Sequence, residues 1–140
     1  ITQALSNFAG QVAHTMRKNR GHCIYAGGDD VLGFVPLNTA YDCADSLQQL
    51  FASSLKDVAK TLGVEEEKSP TLSVGIAICH IMTPLSVIRE LAQHAEKHAK
   101  GDHVDETKNR ETRRNALGIL LSIRSGNDTK LRFNWTLHFV

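Results

Sequence analysis

Residues His22 to Pro36 read HCIYAGGDDVLGFVP, two short apolar runs held apart by four residues that a strand interior would not choose. Cys23 to Ala26 and Val31 to Val35 have strand-like composition, and between them stand Gly27, Gly28, Asp29 and Asp30. The glycines can take positive φ and close a tight turn, so the stretch predicts a β-hairpin with paired acids at its tip. Neither flanking run supplies a Lys or Arg to neutralise the acids. Adjacent carboxylates repel, and a hard divalent cation such as magnesium would relieve that repulsion through oxygen ligands while leaving positions for phosphate. The same residues also suit an ordinary turn for conformational reasons alone.

The rest of the chain supplies helices and strands around this hairpin. Ile1 to Arg20 places Leu5, Phe8, Val12 and Met16 on one helical face, with Gly21 as the stop. After Pro36, Asn38 and Thr39 are candidate N-caps for a second helix. Its buried stripe is Leu47, Phe51, Leu55, Val58 and Leu62, and Gly63 stands where a C-terminal cap belongs. Glu65 to Ser69 reads as a charged loop. Thr71 to His80 reads as a strand, with Leu72, Val74, Ile76 and Ile78 on a bulky face and Ser73, Gly75, Ala77 and Cys79 on a small one, which a packed helix would fill. A third helix begins at Thr83-Pro84, turns Leu85, Ile88, Leu91, Ala92, Ala95 and Ala99 inward, and ends near Lys100-Gly101. Asp102 to Arg114 is polar and without period. The apolar run Ala116 to Ile123 suits a strand buried on both faces, Ser125 to Asp128 a turn, and Leu131 to Val140 a last alternating strand. This order predicts an α+β fold, helices on one face of a largely antiparallel sheet.

A length of 140 residues suits a single domain, 1–140, and a start at Ile1 inside a helical pattern is what a piece of a longer protein would show. With 16 basic and 15 acidic residues the net charge is +1, which gives no whole-chain attraction to nucleic acid or to membrane. No apolar run approaches the roughly 20 residues of a membrane helix, and the N-terminus carries no signal-peptide pattern. The three cysteines, Cys23, Cys43 and Cys79, are odd in number and lie in apolar or amphipathic segments, as in a reducing cytoplasm.

Tyr25-Ala26-Gly27-Gly28-Asp29-Asp30-Val31-Leu32 resembles the GGDD hairpin in the palm domain of the large subunit of CRISPR type III effector complexes. Leu72-Ser73-Val74-Gly75-Ile76-Ala77-Ile78 is similar to the family strand that follows, Thr83-Pro84-Leu85 to its helix start, and Ala99-Lys100 to the helix end. Ile123-Arg124-Ser125-Gly126, with Trp135 beyond, resembles the closing strands, so the likeness runs in order over most of the chain. It implies a ferredoxin-like palm related to diguanylate cyclases and polymerases, converting ATP into cyclic oligoadenylates when the guide-RNA complex captures target RNA. It further implies Asp29 and Asp30 as catalytic metal ligands for magnesium or manganese, Gly27 and Gly28 close to the nucleotide, and Lys100 reaching the triphosphate. Partners would be ATP, the other effector subunits and, through the complex, guide and target RNA. Related cyclases take a further metal carboxylate from a strand before the first helix, so the sheet should lack its first strand here. The family's nuclease domain and second palm are expected outside these residues.

Other signals are weaker. His94 and His98 stand four apart but lack the HExxH pattern, and His22 reads as structural. Lys108, Arg110, Arg113 and Arg114 are interspersed with Asp105, Glu106 and Glu111, as in a solvated loop. A palm kept as a structural or ATP-binding scaffold is the alternative function. A diguanylate cyclase is a third reading, and Val31 after the acids, where that family has Phe, argues against it.

Overall fold

The computed structural model describes residues 2–27, 30–64, 70–101, 115–123 and 126–135. The chain divides into two compact units, Ile1–Thr71 and Leu72–Val140. The expected loops at 65–69 and 102–114, with the basic cluster of the latter, lie outside the described residues, as do Arg124, Ser125 and the end of the last strand at 136–140.

The first unit contains α1 (Thr2–Lys18), β1 (His22–Gly27), β2 (Asp30–Phe34) and α2 (Leu37–Thr61), with β1 and β2 paired antiparallel. Its core forms where the apolar faces of the helices meet. Phe8 and Val12 of α1 are wholly buried, and the Phe8 ring meets Phe51 of α2 edge-on at 5.1 Å between centroids. Truncating such a ring to alanine costs about 3–5 kcal/mol. The α2 stripe is Ala40, Cys43, Ala44, Leu47, Phe51, Leu55 and Ala59; Val58 is half-buried and Leu62 is exposed, unlike the sequence expectation.

Two terminus assignments change. α1 ends before Gly21 as expected, but the left-handed turn falls on Arg20, at φ 62°, and the Gly21 N–H closes that turn onto the Met16 carbonyl at 2.7 Å. Gly21 instead lacks a side chain because a Cβ there would run into the Val35 side chain and the Phe34 carbonyl. Nor do Asn38 and Thr39 cap α2, whose N-cap is Pro36 with no side-chain cap bond. The Thr39 hydroxyl donates to the Asn19 carbonyl at 2.6 Å, tying the start of α2 to the end of α1. Gly63 does close α2, at φ 68°, with Val64 N–H donating to Ala59 O and Gly63 N–H to Lys60 O.

The second unit contains β3 (Val74–Ile78), α3 (Leu85–Lys100), β4 (Ala116–Leu121) and β5 (Thr129–Asn134) in the order β3-β4-β5. β4 is central, parallel to β3 and antiparallel to β5, and Ala116, Leu117 and Leu120 are almost fully buried. Two of the three strand pairs are thus antiparallel, and the β3–β4 pair is parallel because α3 carries the chain back across the sheet.

The small face of β3 receives that helix. Gly75 is paired with Gly118, and a Cβ on either would fall within 3.0 Å of the α3 backbone at Ala95, Glu96 or Ala99. Glycine on the sheet and Ala95 and Ala99 on the helix let the two backbones approach closely. The fully buried face of α3 contracts to these two alanines; Ile88, Leu91 and Ala92 are half-buried and Leu85 is exposed. Thr83 makes no cap bond, and Pro84 is the N-cap residue instead of the first helical position.

Candidate functional site

The strands of the hairpin are positioned by α1. Cys23 faces Gly33 across the ladder, and a Cβ on Gly33 would collide with the Met16 side chain, so this face of the hairpin lies directly on the helix. Side chains alternate along β2, which places Val31 on the helix side and Leu32 and Asp30 on the opposite side.

A bulge lies between Cys23 and Tyr25. Before it, His22 pairs with Phe34 and Cys23 with Gly33; after it, Tyr25 pairs with Leu32, Ala26 with Val31 and Gly27 with Asp30. Continued without the bulge, the first register would have set Ala26 opposite Asp30 and turned Tyr25 toward α1. The extra residue is Ile24, and its insertion brings Tyr25 and Gly27 onto the face that carries Asp30.

Asp30 therefore opens β2 as the last ladder partner of Gly27, with its side chain exposed. The connecting residues Gly28 and Asp29 lie outside the described residues. The hairpin thus brings together two of the residues singled out from sequence, Gly27 and Asp30. An exposed carboxylate at the end of a helix-backed ladder, next in sequence to a second Asp, is an oxygen-only donor set that fits a hard cation such as magnesium or manganese. Among the described residues no three or more His, Cys, Asp or Glu side chains gather as a metal cluster.

Lys100 is the last residue of α3, in the other compact unit. Its ammonium pairs with Glu96 one turn earlier at 2.5 Å, both side chains being more than a third exposed. A pair of this type contributes about 0.3–0.5 kcal/mol, so it restrains the lysine only weakly. The helix end itself is fixed by Arg132 of β5, whose Nε donates to the Ala99 carbonyl at 3.1 Å. Partial burial lowers the Arg132 pKa. Sequence reading missed this arginine, because its target is a backbone carbonyl 33 positions away. His22 opens β1 opposite Phe34, while His94 and His98 lie on α3.

The other residue missed is Tyr25. The residue is 54% exposed, and its hydroxyl lies 2.6 Å from where a Cβ on Gly27 would stand. An aromatic just before the acidic tip was visible in sequence, but the face it takes depends on the bulge.

Among the described residues, three helices, mostly antiparallel strands and an acidic hairpin seated on a helix define an α+β palm. The chain matches the family described as Cas10/Cmr2, second palm domain, over residues 1–112, and it belongs to that family. The likeness to the large subunit of type III CRISPR complexes is borne out, with one refinement: the match is to the second palm itself, which had been expected outside these residues. The chain is 33% identical over 105 residues to the CRISPR system Cmr subunit Cmr2 of Pyrococcus furiosus, an alignment covering 72% of this chain and 11% of that relative. It therefore spans only about a ninth of the relative's length. Among the described residues no helix is long and apolar enough to cross a membrane.

Proposed function

We propose that this palm forms part of a metal-dependent nucleotidyltransferase that joins ATP into cyclic oligoadenylates within a type III CRISPR effector, in response to target RNA. The observation that carries this is the exposed Asp30 carboxylate, held opposite Gly27 at the end of a hairpin that α1 supports from behind. A turn serving only to reverse the chain has no need of two adjacent acids without a Lys or Arg in the flanking runs, whereas a site for a metal–triphosphate complex does.

In the proposed reaction the ribose 3′-hydroxyl of one ATP attacks the α-phosphorus of another. A new P–O bond forms, the bond to the β-phosphate oxygen breaks, and pyrophosphate leaves. Bound magnesium or manganese supplies the lowered hydroxyl pKa and the compensation of charge on the leaving oxygens. Asp30 supplies negative charge for that ion from the start of a strand, and Asp29 adjoins it in sequence. Gly27, having no side chain, leaves room beside the carboxylate that the Tyr25 hydroxyl enters. The remaining subunits of the effector, with guide and target RNA, are the proposed partners, and the cytoplasm the proposed location.

The test uses the full-length subunit in its guide-RNA complex, with ATP, magnesium or manganese and matching target RNA, and products read by mass spectrometry. Cyclic oligoadenylates should form and should vanish in the Asp29→Ala/Asp30→Ala variant. Intact assembly and target binding without any ATP-derived product would replace the synthase with a scaffold.

A further inference from the structure

Tyr25 is the large side chain nearest the acids in sequence on β1, and ordinary packing does not account for where it sits. The helix-facing side of the hairpin is the side on which an aromatic ring would bury most surface, yet the bulge at Ile24 turns Tyr25 to the other side. There the residue stays 54% exposed, and its ring leans along the strand over Gly27. The phenolic oxygen occupies the space that any side chain at position 27 would take, 2.6 Å from the ideal Cβ position. Gly27 is the ladder partner of Asp30, and Tyr25 lies on the same face as that pair of positions. A bulge that re-aims a side chain is a device found next to active sites.

We propose that Tyr25 is a nucleotide-positioning residue whose phenolic hydroxyl donates a hydrogen bond to a phosphate oxygen of a nucleotide held beside Asp30. The phenol suits that task because it is a neutral donor. A lysine or arginine beside the acids would compete with the metal for the carboxylates, whereas a hydroxyl contacts the phosphate and leaves the acidic charge intact. Its place on a strand, and not on the connecting turn, fixes the hydroxyl relative to Asp30. The inference rests on the hairpin tip being the nucleotide site, as proposed above, but not on turnover.

The test is binding to the full-length subunit in its complex, measured by calorimetry with a non-hydrolysable ATP analogue and manganese. Wild type, Tyr25→Phe and Tyr25→Leu would be compared, with adenosine as a ligand lacking phosphate and manganese alone as a control. Loss of a hydrogen bond to a charged oxygen should weaken the analogue roughly ten-fold in Tyr25→Phe. Tyr25→Leu should weaken it to a similar degree, and the affinities for adenosine and for manganese should not change. Unchanged analogue affinity in Tyr25→Phe would overturn the inference. So would equal weakening of adenosine, which would move the contact to base or ribose, or a wild type that does not bind the analogue. If wild type binds the analogue but yields no cyclic product, the synthase reading fails while the result for Tyr25 stands.

Discussion

Substituting alanine for Gly75 tests how α3 is seated, and with it the placement of Lys100 at the helix end. The added methyl would fall within 3.0 Å of backbone atoms of Ala95 and Glu96, which cannot rotate away as a flexible side chain can. Ordinary contact would be restored only if the helix withdrew by roughly 1 Å, opening the contact between Gly118 and Ala99 as well. Overpacking costs about 1–3 kcal/mol, and a backbone obstacle belongs at the upper end of that range. Reduced freedom of the unfolded chain returns about 0.4–1 kcal/mol, leaving a net loss near 2 kcal/mol. That corresponds to roughly a 30-fold larger opening constant for the unit. Hydrogen exchange on the full-length subunit, followed by mass spectrometry, should show amides of β3 and α3 exchanging faster by about that factor. Gly126→Ala is the control, since a Cβ there meets nothing within 4 Å. If the Gly75 variant exchanges as slowly as wild type, the helix does not rest on glycine backbone and the packing described here is wrong.

Other predictions follow from single residues. Asp30→Asn should abolish cyclic product while changing stability by no more than about 0.5 kcal/mol, because the side chain is exposed; a large loss of stability would make its role structural. Lys100→Ala should forfeit only the weak Glu96 pair, yet raise KM for ATP several-fold if the lysine contacts triphosphate; an unchanged KM assigns it to the helix end alone. Arg20→Gly should stabilise the first unit by about 1 kcal/mol by removing a Cβ from a left-handed position, read as a higher unfolding midpoint. Burial pushes the Cys43 thiol above its ordinary value, so the folded state favours the protonated form. That contribution is complete below the unfolded thiol pKa of about 8.5 and is lost as pH rises through the folded value. Cys43→Ala should therefore flatten the alkaline fall in stability, and an identical pH profile in the variant would contradict it. Cys79, raised by burial first and by Asp128 second, should resist alkylation until similarly alkaline pH.

Local chemistry made much of this protein legible in its sequence. The 3.6-residue spacing of Phe8, Val12 and Met16, and of Leu47, Phe51 and Leu55, marks helices because each residue's face follows from its neighbours alone. The alternation at Val74–Ile78 marks a strand whose small side proved to receive a helix, as its glycine and alanine suggested. The acidic pair, its glycines and the strands on either side were visible for the same reason. What tertiary structure alone decided is non-local. A bulge has no signature in β1 itself, since it is defined by which residues of β2 stand opposite, yet it determines that Tyr25 and Gly27 share a face with Asp30. Asn38 and Thr39 have the side chains of N-caps, but the carbonyl that Thr39 meets belongs to Asn19, at the end of another helix. Arg20 takes the left-handed position, while Gly21 stands where a Cβ would run into Val35 and Phe34 from the far end of the hairpin. The parallel pairing of β3 with β4 depends on a crossover through α3. In each case a residue's own preference is worth about 1 kcal/mol or less, and close packing against a distant segment outweighs it.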